Sequence, residues 1–376
     1  MKAKYRKLAV VVDTFPKWSE RFIARELQEL KRRGVDFTVF HFKQGTLPFG
    51  DDSEWEGLLN RSRLLPLSYG TIPIINRDVN STTKAAGELE RIVLNEGFEH
   101  IHSHFANVPS SVGRFAAMGA NVPFSISVHA RDLFVDAQEL DAKIADASHI
   151  FTCHCRALEF LKARGATRVT CMHHGLPLDR FPFTDHGESE RSKPKFIAVC
   201  RFVEKKGLQY VIEAMSDPRM SGSGAELELI GDGPEQKSLE KLVRKMNLES
   251  RIRFTPPMGS LELLTVFQTA TALVAPYETA GDGDADGIPN VILEAFAAGL
   301  PVIGTGAGSL PEILTPETGT VVPERNFRLL AEAMAAAHRN IVPRKVAAAR
   351  QLVERDFDIQ KNLTPLLERI SLKSAC

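Results

Sequence analysis

Residues 196–215 read FIAVCRFVEKKGLQYVIEAM. The first five are apolar, as a strand buried on both faces requires. Further on, Leu208, Val211, Ile212 and Met215 fall at i, i+3, i+4 and i+7, one face of a helix. Between the two, RFVEKKG puts Arg201 at the carboxyl end of a strand and Lys206 just ahead of a helix N-terminus, where backbone N–H groups have no intrahelical acceptor. Two cations beside such groups suit a diphosphate. Glu204 is the one carboxylate among them, and the plainer alternative is a solvated basic loop.

Outward from this segment the same grammar fills the chain. Strands are expected at 8–12, 35–42, 100–104, 123–128, 149–152 and 168–172, then at 196–200, 226–230, 251–255, 272–275, 301–305 and 320–322. Helical periodicity lies between them, as at 19–33 and 109–118. The former has Glu20 and Glu26 early and Lys31, Arg32 and Arg33 before Gly34, the charge order a helix dipole favours. Strands alternating with helices over short crossovers predict an α/β fold with parallel sheets covered on both faces. The chain has 376 residues, and at about 150 per domain two doubly wound, Rossmann-like domains are expected. The stretch 182–195, PFTDHGESERSKPK, is rich in breakers and charges and marks the boundary. The expected division is 1–185, 186–345 and a helical tail, 346–376, that packs back on the first domain. Ligands in such a fold sit in the cleft outside the carboxyl ends of the strands.

Composition excludes several classes. The 47 Lys+Arg balance 47 Asp+Glu, so no bulk field draws the chain to nucleic acid. At 43% apolar and 25% charged it is neither disordered nor built of membrane spans. The start, MKAKYRKLAVVV, is basic and then apolar, but the apolar run ends at Asp13 and reads as a first buried strand. The five cysteines, Cys153, Cys155, Cys171, Cys200 and Cys376, are odd in number and sparse, which suits reduced thiols and a cytoplasmic location. Lys2, Lys4, Arg6 and Lys7, with Lys31 to Arg33, are the points where weak peripheral contact with an anionic leaflet could form, though the plainer reading as solvated charge is favoured.

Two further turns carry ligand chemistry. GDGPE, Gly231, Asp232, Gly233, Pro234 and Glu235, follows a strand, and its glycines let the backbone turn tightly and approach a ligand. The stretch 276–300, PYETAGDGDADGIPNVILEAFAAGL, leaves another strand and enters a helix near Pro289. Asp286 before that helix and Glu294 inside it can accept hydrogen bonds from sugar and ribose hydroxyls, while the N–H groups of Ile288 and Asn290 point at phosphate or sugar oxygens. Asp282, Asp284 and Asp286 also imitate half of a calcium loop, but its twelfth position falls on Leu293, so calcium is not expected.

Histidines and cysteines invite metal readings. His100, His102 and His104 alternate along one strand face, with His129 after the next strand; Cys153, Cys155 and Cys171 stand near His173 and His174. Strand-end histidines more often hydrogen-bond their neighbours, and Cys-x-Cys without a second pair is weak, so no metal is expected. A neutral His129 at a strand end could instead bind a sugar hydroxyl or polarise a reacting centre.

Taken together, GDGPE, the spacing from Arg201 to Lys206, and DGIPNVILEAFAAGLPVIGT resemble the donor-binding half of family-four retaining glycosyltransferases, which have the GT-B fold. FPKWSE, HSHFAN, SVHARDLF and HHGLPLDRF resemble the first half of exopolysaccharide and colanic-acid-type members. The resemblance implies a retaining hexosyltransferase that moves a sugar from a nucleotide-sugar, a UDP- or GDP-sugar, to a glycan or lipid-linked acceptor in bacterial polysaccharide biosynthesis. It implies that Arg201 and Lys206 hold the donor diphosphate, that Glu294 binds the ribose, and that Asp286 stands where the family has a glutamate on the transferred sugar. His129 matches the family histidine at the sugar, Asp132 follows in the same motif, and Ser19, Glu20, His104 and Arg131 lie on the acceptor side. No cofactor or metal is implied, since the cations and helix N-terminus replace a divalent ion. Competing readings on the same scaffold are a nucleotide-sugar epimerase, a phosphorylase, or a non-catalytic sugar-nucleotide-binding subunit.

Overall fold

The computed structural model describes residues 4–47, 54–65, 77–184, 193–339 and 342–372. Lys2, Cys376 and most of the expected boundary stretch lie outside these. The chain divides into two compact units, and it crosses from the first to the second between Gly175 and Leu176 and back between Asp358 and Ile359.

The first unit is built on seven strands: β1 (Leu8–Phe15), β2 (Phe37–Gln44), β3 (Ser62–Leu64), β4 (His100–His104), β5 (Phe124–Val128), β6 (His149–Thr152) and β7 (Val169–Cys171). All pair in parallel, in the order β3-β2-β1-β4-β5-β6-β7. The alternation of faces splits the core in two. Ala9, Val11, Phe40 and Ile101 meet the helices Arg77–Glu96 and Val108–Ala120 on one side, while Leu8, Val10, Val12 and Phe37 meet Ile23, Leu27 and Leu30 of the helix Arg21–Arg32 on the other. Leu363, Leu366, Leu367 and Ile370 of the chain's last turns complete that second layer.

The second unit has six parallel strands: β8 (Lys195–Val199), β9 (Glu226–Ile230), β10 (Ile252–Thr255), β11 (Ala272–Ala275), β12 (Val302–Thr305) and β13 (Thr320–Val322). Their order is β10-β9-β8-β11-β12-β13. In both sheets the order reverses beside the first strand, the topology that opens a crevice at the carboxyl ends of β1 and β4, and of β8 and β11. The helix Asn290–Ala298 is buried along nearly all its length, and the helix Pro343–Asp356 packs on it through Ala349 and Val353. The expected helix at 19–33 begins as a single 3-10 turn, Trp18–Glu20, before the α-helix Arg21–Arg32.

Candidate active site

In the second unit the loop after β8 is braided to the loop after β9. Cys200 N donates to Ile230 O, Phe202 N to Asp232 O, and Glu235 N back to Phe202 O. Gly231 and Gly233 have φ of 144° and 154°, and a Cβ on them would stand 1.9 Å from Cys200 O and 2.4 Å from Phe202 O. The sequence gives these glycines to a ligand's approach; in the structure it is the chain's own backbone that comes close. Phe202 is fully buried against Phe254, which leaves Arg201 exposed at the strand end with no ion pair among the described residues. The Cys200 thiol beside it is pushed by burial up to about 12 and is no nucleophile.

Lys206 ends a short 3-10 turn, Glu204–Lys206, and Gly207 then opens the helix Leu208–Met215. Gly207 takes a left-handed φ of 57°, and a Cβ there would meet Pro276 O at 2.0 Å, so the turn presses directly on the end of β11. Lys206 Nζ stands 3.9 Å from the centroid of the buried Tyr277 ring and pairs with Asp286 Oδ2. Lys205 Nζ lies 3.0 Å from Asp286 Oδ1 and 3.0 Å from Asp284 Oδ1. The basic loop therefore has counter-acids that spacing did not reveal. Burial pushes the Asp286 carboxyl up, but Lys206 and Lys205 outweigh it and hold it below the usual carboxylate range. Its backbone is fixed as well: Ser309 N donates to Asp286 O at 3.0 Å.

Glu278 is a site residue the sequence reading missed. It is buried, accepts from Gln209 Nε2 at 2.9 Å and Arg325 Nε at 2.5 Å, and its N–H donates to Lys205 O at 3.0 Å. It thus ties the 276–289 loop to the Lys205–Lys206 turn. The only signal was its place at the end of a strand. Of the expected donor residues, Ile288 and Glu294 are buried, Pro289 is the extended residue preceding the helix, and Asn290 begins it with a buried Oδ1 that has no hydrogen-bond partner among the described residues. Asp232 and Pro234 lie in the braided turn, with the following helix starting only at Gln236.

The first unit gathers aromatic and imidazole rings at the ends of β4 and β5. Phe22 stacks on His174 at 4.0 Å, His129 lies 4.9 Å from Phe22 and 4.6 Å from Phe105, and His104 stacks on His129 at 6.0 Å. Burial holds the imidazole of His129 well below its ordinary value, so it is neutral. Asp132 sets its backbone, accepting from His129 N at 3.0 Å and Ala106 N at 2.7 Å. Burial raises the Asp132 carboxyl to about 6, against those two N–H groups.

Glu20 pairs with Lys17 at 2.5 Å, Ser19 shares its turn, and burial nonetheless pushes the Glu20 carboxyl up. Arg131 instead reaches the exposed Asp136, 2.8 Å away. Glu26, read as an early helix acid, turns inward and places Oε1 3.3 Å from His104 Nε2. His102 is already taken by Ser125 Oγ at 2.8 Å and Ser127 Oγ at 3.1 Å, as structural histidines are. Arg32 and Arg33 both pair with Glu29, so that basic cluster is partly neutralised.

Two parallel, doubly wound sheets give the chain the GT-B class of fold. Residues 193–340 match the family described as "Glycosyl transferases group 1", and this segment is a group 1 glycosyl transferase domain. Over 184 residues the chain is 33% identical to the protein named as colanic acid biosynthesis glycosyltransferase WcaL of Escherichia coli K12, covering 47% of this chain and 45% of that one. It is 30% identical over 184 residues to the amylovoran biosynthesis glycosyltransferase AmsK of Erwinia amylovora, covering 47% and 45%. The chain spans about half the length of the curated relatives it matches. Among solved structures, Anabaena HepE with UDP and glucose superposes with a TM-score of 0.76 at 15% identity over 97% of this chain and 99% of that one. Sucrose-phosphate synthase from Thermosynechococcus elongatus gives 0.73 at 19% over 97% and 98%. At such identities the likeness is one of fold. Among the described residues no helix is long and apolar enough to cross a membrane.

Proposed function

We propose that the chain is a glycosyltransferase that moves a hexose from a nucleoside-diphosphate sugar to a glycan or glycolipid acceptor in polysaccharide biosynthesis, with retention of the anomeric configuration. The observation that carries the reading is the pair Arg201 and Lys206 at the carboxyl end of β8, inside the group 1 domain. Breaking the donor bond leaves charge on the departing diphosphate, and fixed cations offset it without reorganising. Lys206 is fixed between Tyr277 and Asp286, whereas exposed Arg201 is available to a ligand. Glu294 is assigned to the ribose and neutral His129 to a hydroxyl of the transferred sugar. In retention without a protein nucleophile, the acceptor oxygen attacks on the face the diphosphate leaves, and a phosphate oxygen takes the acceptor's proton. The cations supply the charge a divalent ion would otherwise bring, so turnover should need no divalent ion at the diphosphate.

HepE is solved with UDP and glucose, and a mannosyltransferase relative of Mycobacterium tuberculosis, 32% identical over 211 residues, is named for GDP-mannose; both uracil and guanine donors therefore belong in the test. The protein is incubated with UDP- and GDP-sugars, with and without lipid-linked and glycan acceptors. Acceptor-dependent release of nucleoside diphosphate and a product with the donor's anomeric configuration are expected. Interconversion of the donor sugar without that release would make the protein an epimerase, and binding without turnover a binding subunit. Weak peripheral contact through Lys4 and Arg6 belongs to the same proposal, and salt-insensitive absence from anionic vesicles in a sedimentation assay would remove it.

A further inference from the structure

The sheet of the first unit ends on β7, and the carboxyl end of that edge strand carries side chains with no part in the reading above. Cys155 opens the helix Cys155–Ala163 that follows β6, Cys171 closes β7, and His173 comes two residues later. One ligand atom from each lies within 4.8 Å of the other two. Along the chain Cys153-x-Cys155 and Cys171-x-His173 stand as separate pieces; it is the parallel pairing of β6 with β7, with Thr152 opposite Cys171, that brings them together.

Three features fit these groups to one ion. Tetrahedral zinc, with Zn–S of about 2.3 Å and Zn–N of about 2.0 Å, sets a sulfur and a nitrogen about 3.6 Å apart. Cys171 Sγ stands 3.8 Å from each ring nitrogen of His173, Nδ1 and Nε2. Next, His173 Nδ1 lies 2.8 Å from the Cys153 carbonyl oxygen. A carbonyl only accepts, so Nδ1 carries the proton and Nε2 keeps its lone pair, with the ring oriented from behind as a backbone carbonyl orients a ligating histidine. Finally, Cys155 is the first residue of a nine-residue helix, where the N-terminal field favours thiolate. Cys155 is exposed and the other two are half-buried, so an ion can enter and water can take a fourth position.

We propose that Cys155 Sγ, Cys171 Sγ and His173 Nε2 bind one soft or borderline divalent cation, zinc by ligand type, as a clip on the sheet edge. The two thiols release their protons to solvent as the metal–sulfur bonds form. The bound ion fastens the start of the helix, the end of β7 and the segment that delivers His174 to Phe22. The expectation of no metal rested on sequence spacing, which is blind to the strand pairing.

The test uses the full chain, reduced and stripped with chelator, with Co(II) as the probe. One equivalent should bind with a thiolate-to-cobalt charge-transfer absorption. Cys155→Ser, Cys171→Ser and His173→Gln should each weaken binding at least about tenfold, and Cys200→Ser in the other unit should not. Zinc should raise the thermal midpoint of the wild type and leave that of Cys171→Ser unmoved. Exposed Cys155 makes its serine variant the one that keeps the fold. Reduced wild type that shows no such absorption, or Cys155→Ser that binds as tightly as wild type, would overturn the proposal. So would a Cys155–Cys171 disulfide that persists under reductant and excludes cobalt, which would make the pair a redox couple instead.

Discussion

Lys206 and Asp286 form an ion pair although 80 residues separate them, and their side chains are only 12% and 13% exposed. Removing one partner of a buried pair leaves an uncompensated charge, so the pair is a positioning device that a single substitution exposes. Asp286→Asn should lower turnover by about tenfold or more, because Lys206 loses the partner that aims it. Nucleoside diphosphate should bind the variant at least as tightly, since a carboxylate near the phosphates is gone. Calorimetry beside steady-state kinetics separates the two.

The same carboxylate predicts an acid limb. Its folded-state pKa is depressed below the ordinary 3.8 by Lys206 and Lys205 acting against burial. Its stabilising contribution is therefore present above about pH 4 and is lost as pH falls through the folded value. Denaturant titrations of wild type and Asp286→Asn should converge as the pH is lowered below about 4.

Asp132 has the opposite sign. Burial raises its carboxyl from 3.8 to about 6, so its contribution is full below pH 3.8 and is lost as pH rises through 6. Between pH 4 and 7 the wild type should lose on the order of 3 kcal/mol relative to Asp132→Asn, as follows from a carboxyl raised from 3.8 to about 6. Unfolding curves across that range measure the difference.

Neutral His129 makes a kinetic prediction. Burial keeps its imidazole uncharged across the physiological range, so turnover between pH 6 and 8 should show no limb that His129→Gln abolishes. The variant should bind nucleoside diphosphate like wild type and transfer sugar about a hundredfold more slowly.

Gly231→Ala tests the braid of loops. Its Cβ would stand 1.9 Å from Cys200 O at a φ of 144°, so the loop that carries Arg201 must move. A loss of about 2 kcal/mol in stability and a matching loss of diphosphate affinity are expected, read by thermal melts and titration.

β11 was legible because ALVA, 272–275, is a continuous buried apolar run, while ELELI, 226–230, and TVV, 320–322, which match β9 and β13 to the residue, showed as short branched or alternating runs between helical segments. β3, Ser62–Leu64, was not, since an exposed edge strand of Ser, Arg and Leu carries no such run. The local parts of the site, Arg201, Lys206 and the 276–300 loop, were visible as turns after strands. What joins them was not. That Asp286 answers Lys206, that Glu278 ties loop to turn, that Glu26 faces His104, and that Cys171 meets Cys155 all depend on which strands lie side by side.

Arg201 and Lys206 are proposed to hold the donor diphosphate. Thermal shift of wild type and Arg201→Ala against a panel of UDP, GDP and other nucleoside diphosphates tests it directly. One nucleotide should raise the wild-type midpoint, and Arg201→Ala should abolish most of that shift while its own unliganded midpoint stays at the wild-type value. An equal shift in both proteins, or none with any nucleotide, would contradict it.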